Sequence, residues 1–132
     1  MSELHTLIDF GICVILWLVQ FIIYPSFLRM QGDALVEWHK TYVFRFTCII
    51  APLMTLQLSF AAWAVVEAGT FHSWPILAMV ALCWLLSFGV SLPLHRKIDQ
   101  GDPTQDFRRK LIQTNWPRVI LWTAVFVLGY VS

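Results

Sequence analysis

Residues 10–28 read FGICVILWLVQFIIYPSFL, a run without one charged side chain. At a helical rise of 1.5 Å per residue such a run crosses about 30 Å, the hydrocarbon thickness of a bilayer. Two further uncharged runs, Phe46 to Val66 and Trp74 to Leu94, are as long. With 58% hydrophobic and 13% charged residues, the chain is too apolar for an ordinary soluble domain of its size, so lipid has to be part of its solvent. The net charge of +1 gives no support for a nucleic-acid partner; the expected partner is the lipid bilayer.

The remaining apolar stretch, Val119 to Ser132, is short, so a fourth span has to reach back through Asn115, Trp116, Pro117 and Arg118. That draws polar groups to membrane depth. The expectation is an all-α integral membrane protein, a four-helix transmembrane bundle forming a single domain over residues 1–132, with spans at about 7–28, 43–67, 74–94 and 112–131. The opening residues, Met1-Ser-Glu-Leu-His5, carry neither a basic segment nor a small-residue cleavage site, so the first apolar run is expected to be an anchor.

All nine basic residues lie between spans one and two, between spans three and four, or at the start of span four. The positive-inside rule therefore puts both longer loops in the cytoplasm and both termini on the non-cytoplasmic side, in a bacterial inner membrane. Asp33 is the expected N-cap of a helix that passes through His39, about two turns outside the apolar segment, before entering the bilayer. Gly101, Asp102 and Pro103 mark a turn, after which Asp106 to Lys110 can begin the last helix. Cys13, Cys48 and Cys83 form no C-x-x-C pair and read as small buried packing residues.

Polar side chains inside the spans fall on shared faces. Asp9, Cys13, Trp17 or Leu16, Gln20 and Tyr24 recur at helical spacing on span one, and Cys83, Ser87, Ser91 and His95 do so at intervals of four on span three. Such stripes turn inward, because lipid cannot satisfy them. The cysteines and serines of these stripes read as helix-packing groups. Pro25, Pro52, Pro93 and Pro117 all lie in the cytoplasmic half or at that end of their spans. Where a helix continues through one of them, the carbonyl of Phe21, Cys48, Gly89 or Gln113 is released. Pro25 and Pro93 are placed to terminate their helices, whereas Pro52 sits well inside a span. Freed carbonyls at this depth imply a polar cavity opening toward the cytoplasm.

Tyr24, His39, Tyr42, Arg45, His95, Asn115 and Arg118 converge on that half of the membrane. Arg offers a planar fork of donors, Asn a donor and an acceptor, and His a proton near neutral pH. Together they suit a small hydrophobic ligand bearing a carbonyl or phenol, with His95 as acid or base, Asn115 and Arg118 holding a developing oxyanion, and Tyr24, His39 and Arg45 binding it. On the opposite side His5, Asp9, Glu67 and His72 are a rival set of donors for a metal ion. A non-enzymatic alternative is a membrane assembly subunit whose polar residues set helix packing.

The segments Leu92-Pro-Leu-His95, Asp99-Gln-Gly101 and Leu111-Ile-Gln-Thr-Asn115-Trp116-Pro-Arg118 resemble the C-terminal half of small four-helix membrane proteins of the anthrone-oxygenase-like family. In that family a polar motif follows span three, and an Asn or Trp and an Arg open span four. Tyr24-Pro25 is similar to its Pro-terminated first helix, while Leu94-His95 stands where the family has Asn after the span-three proline. The resemblance implies oxidation of a small carbonyl or phenolic molecule. A second likeness, in architecture alone, is to bacterial membrane protoporphyrinogen oxidases, which have a His near the start of the first helix, as His5 is here. That implies haem as a cofactor, with His39 and His95 or His5 and His72 as the pairs on matching sides.

Overall fold

The computed structural model describes residues 3–69 and 71–131, and among them every regular element is a helix. There are four rods: α1 (Glu3–Phe27), α2 (Gly32–Ala68), α3 (Ser73–Asp99) and α4 (Asp106–Val131). The first three are long and apolar enough to cross a membrane. The fourth has the length, but its first half carries Asp106, Arg108, Arg109, Lys110, Asn115 and Arg118, so it is not a clear span by hydropathy.

Short connections make neighbouring helices antiparallel, and they close a ring in which α1 packs on α2 and α4, and α3 packs on the same two. Gly69 ends α2 in the left-handed region at φ +53°, where a side chain would be strained. The core is layered along the bundle. Ile12, Leu16, Met54, Cys83 and Trp122 fill the middle. Tyr24, Phe27, Leu35, Leu94, Ile98 and Leu111 fill the end that carries the basic loops, hereafter the basic end. Ala61, Ile76, Val80 and Val125 fill the far end. Leu7, Phe21, Phe44, Val66, Leu85 and Ile120 point outward and are exposed, an apolar surface suited to lipid.

Several local expectations are corrected. Gln31, in extended backbone, precedes α2, and Asp33 lies inside its first turn, where its charge favours the helix dipole without capping it. Cys48 is exposed on the outer surface, unlike buried Cys13 and Cys83. Pro25 and Pro93 do not terminate their helices. Each follows a single π-helical turn, Val19–Ile23 in α1 and Ser87–Ser91 in α3, after which the helix continues. The wider turn pairs the Tyr24 amide with the Val19 carbonyl and the Leu92 amide with the Ser87 carbonyl. The helix therefore already departs from regular pairing where the proline would have left a carbonyl without its donor.

The two basic loops are tied together by Arg108. Its guanidinium donates to the backbone carbonyls of Phe27 (2.7 Å), Met30 (2.7 Å) and Asp102 (2.6 Å) and to the Asp102 carboxylate (2.9 Å), and Asp102 also accepts from the backbone amides of Phe107 and Arg108. The carbonyls at and just beyond the end of α1 and the first amides of α4 are satisfied by one buried ion pair. Burial alone would raise the Asp102 pKa. The hydrogen bonds from the Arg108 side chain and from the Arg108 and Phe107 amides, with the guanidinium charge, outweigh it and hold the carboxyl below its ordinary value.

Candidate functional site

The π turns decide where the site forms. One added residue rotates all that follows by about 100° relative to a regular helix. After those turns Tyr24 of α1 and His95 of α3 face each other, the phenol oxygen 3.2 Å from His95 Nε2. His95 Nδ1 lies 2.8 Å from His39 Nε2, and His39 Nδ1 lies 2.7 Å from Asp99 Oδ1. Four side chains from α1, α2 and α3 thus make an unbroken hydrogen-bonded row.

His39, about two turns outside the apolar run, is fully buried. The extension of α2 packs on the last turns of α3, and the imidazole sits edge-on to the Phe27 ring with Tyr42 on a neighbouring side. The His39 and His95 rings are stacked with centroids 5.0 Å apart and bonded to each other, so no porphyrin fits between them. That argues against the haem reading for this pair.

Arg118 enters from α4. Its Nη1 donates to Ser91 Oγ (3.1 Å) and Asn115 Oδ1 (3.0 Å), its Nε has no partner, and its guanidinium lies over the Trp122 ring. Asn115 in turn donates to Gln20 Oε1 (2.7 Å), and the Gln20 amide donates to the Ile112 carbonyl. Arg118 and Tyr24 both line the cavity described next.

Between α2, α3 and Arg118 is a cavity of about 150 Å³. Its walls are mainly apolar, among them Phe46, Ile50, Met54 and Leu92, and its rim includes the exposed Thr47 and Phe88. The mouth therefore opens sideways, through the face that lipid would cover. Three buried donors on its lining residues have no partner: the Tyr42 hydroxyl, Trp84 Nε1 and Arg118 Nε. A buried donor without a partner costs about 1–3 kcal/mol, so three on one cavity mark a place for an acceptor.

The structure brings together His95, Asn115, Arg118, Tyr24 and His39. Arg45 is exposed on α2 and is not part of the cavity wall. The rival outer set does not assemble either: His5 and Asp9 are buried within α1, whereas Glu67 and His72 are exposed, and no metal-sized group of His, Cys, Asp and Glu occurs among the described residues. Asp9 has a different role, accepting from Gln57 Nε2 (2.8 Å), whose Oε1 accepts from Trp122 Nε1 (2.7 Å).

Sequence reasoning missed Asp99 and Gln57 as parts of these networks and Trp84 as part of the cavity wall, whereas Trp122 shares the span-four face of Asn115 and Arg118. A lone Gln57 within an apolar run, and a Tyr-Pro and a Leu-Pro near the ends of spans one and three, were the available signals. No family model matches this chain, and comparison with curated proteins and with solved structures finds no match.

Proposed function

We propose that this chain is an integral membrane protein whose four helices all cross the bilayer, with the basic end in the cytoplasm, and that it binds a small apolar molecule carrying a carbonyl or phenolic oxygen. The observation that carries the reading is the set of three unpartnered donors on an apolar cavity. An apolar cavity of this size admits one benzene-sized ring. The ring would lie against Phe46, Ile50 and Met54, its oxygen would accept from Tyr42, Trp84 and Arg118, and any alkyl tail would leave past Thr47 and Phe88 into lipid. Nine basic residues confined to two loops and the start of α4 support the orientation. The partial resemblance to anthrone-oxygenase-like proteins makes oxidation of such a molecule the activity to assay.

The test uses 4-nitrophenol as probe and the whole chain in nanodiscs. Tyr42→Phe and Trp84→Phe each delete a donor that has no protein partner, so thermal stability should stay level or rise, while the dissociation constant should rise about fivefold to tenfold. Binding equal to the parent in both variants, or no binding by the parent, would refute the reading.

A further inference from the structure

A second cavity lies beside the first at the basic end. It is a larger cleft of about 730 Å³, lined by Gln31, Asp33, Gln100, Asp102 and Asp99 among others. Asp99 thus belongs both to this polar cleft and to the row of side chains that ends on the ligand cavity, where Tyr24 and His95 are wall residues. The row joins the two spaces through hydrogen-bonded side chains. Its middle member, His39, is fully buried among aromatic rings.

The direction of every bond in the row follows from its end. A carboxylate accepts only, so with Asp99 ionised the proton on His39 is on Nδ1, leaving Nε2 as acceptor. His95 must then donate from Nδ1, leaving its Nε2 to accept the Tyr24 O–H. Arg118 shares the cavity wall with Tyr24 and His95 at this end of the row. All the donors point from the cavity toward the cleft.

We propose that the ligand is an acidic hydroxyarene or enol and that Tyr24, His95 and His39 pass its proton to Asp99. This rests on the reading of the cavity given above. The ligand O–H breaks as its proton joins the Tyr24 oxygen; the Tyr24 proton moves to His95 Nε2, the His95 Nδ1 proton to His39 Nε2, and the His39 Nδ1 proton to Asp99. Each broken O–H or N–H bond is matched by one formed, and no electrons are transferred. The products are a ligand oxyanion beside the Arg118 guanidinium and a neutral Asp99, which gives its proton to water in the cleft. The reverse shifts return a proton when the ligand leaves neutral. The charged groups facing the row are Arg118 at the cavity and Asp33, Asp102 and Arg108 around the cleft, so the cavity end favours the oxyanion.

The decisive variant is Asp99→Asn, which keeps an oxygen to accept from His39 Nδ1 but cannot take up a proton. The readout is the absorbance of 4-nitrophenol bound to the whole chain in nanodiscs, which distinguishes phenol from phenolate. The parent should hold the probe as phenolate. Asp99→Asn should still bind it, with the bound ionised fraction lowered by at least about tenfold, and Asp99→Glu should restore it. Tyr24→Phe, which cuts the row at its other end, should lower the ionised fraction as well. An unchanged ionised fraction in an Asp99→Asn protein that still binds would overturn the relay and leave the cavity reading standing. Absence of binding by the parent would overturn both.

Discussion

Replacing Arg118 by Lys separates a binding role from a packing one. The charge at this depth of α4 is kept, so orientation and insertion are preserved. The planar fork is not: Nη1 now serves Ser91 and Asn115 together, Nε is left for the cavity, and the guanidinium plane covers Trp122 at 5.3 Å. A lysine ammonium can replace one of these contacts but not the set. Inside a helical membrane protein an interhelical hydrogen bond contributes about 0.6 kcal/mol on average, so the stability cost should stay near 1 kcal/mol. A hydrogen bond from a charged donor to a bound oxygen contributes about 1.5–3 kcal/mol, equivalent to about tenfold to a hundredfold in the dissociation constant. Equilibrium dialysis of 4-nitrophenol against protein in nanodiscs, run beside thermal unfolding of the same samples, reads both quantities. A Lys variant that binds like the parent would reduce Arg118 to an interfacial anchor. A loss of binding matched by several kcal/mol of lost stability would make its role structural, and either result refutes the reasoning.

Two further outcomes are expected. Arg108→Met should destabilise the protein by about 3–5 kcal/mol, because it leaves the buried Asp102 carboxylate without its cation; thermal unfolding in detergent measures this. The folded-state pKa of Asp102 is depressed, so its stabilisation is fully present above the unfolded value of about 3.9 and is lost as pH falls through the folded one. Parent stability should therefore drop on acidification below about pH 4, and this part of the drop should be absent from Asp102→Asn. For orientation, a reporter active only outside the cytoplasm should be active when fused at the C-terminus and silent when inserted beside Arg109; the converse pattern would invert the bundle.

The three apolar helices were legible because an uncharged run of sufficient length has few other uses, and the inward faces were legible because Asp9, Gln20, Tyr24, Ser91 and His95 keep helical spacing. The register between them was not. A π turn leaves no mark on hydrophobic periodicity beyond a proline, and Pro25 and Pro93 are equally suited to ending a helix, so the meeting of Tyr24 with His95 could not be derived. The burial of His39 was hidden for a related reason. Hydropathy locates the edge of the lipid, whereas α2 and α3 both run past that edge and bury His39 against one another. Arg108 and Arg109 are indistinguishable in sequence. Only the turn of α4 decides that the first is buried on Asp102 and two carbonyl ends while the second is exposed.

Trp122 links the two polar layers of the bundle and also limits what can pass between them. Its indole N–H donates to Gln57, which holds Asp9 toward the far end, and its ring face carries the Arg118 guanidinium toward the basic end. Losing Gln57 would free the indole and so loosen the seat of Arg118 from a distance. Yet an indole N–H donates without accepting, so this bond fixes a ring and carries no proton onward. Asp9 is thereby coupled to the Arg118 end through the Gln57 and Trp122 hydrogen bonds and the ring contact, with no proton path through the indole. On the relay proposed above, proton exchange at the cavity would run through the row that ends at Asp99, and a ligand entering sideways from lipid would share its proton with the basic end of the bundle.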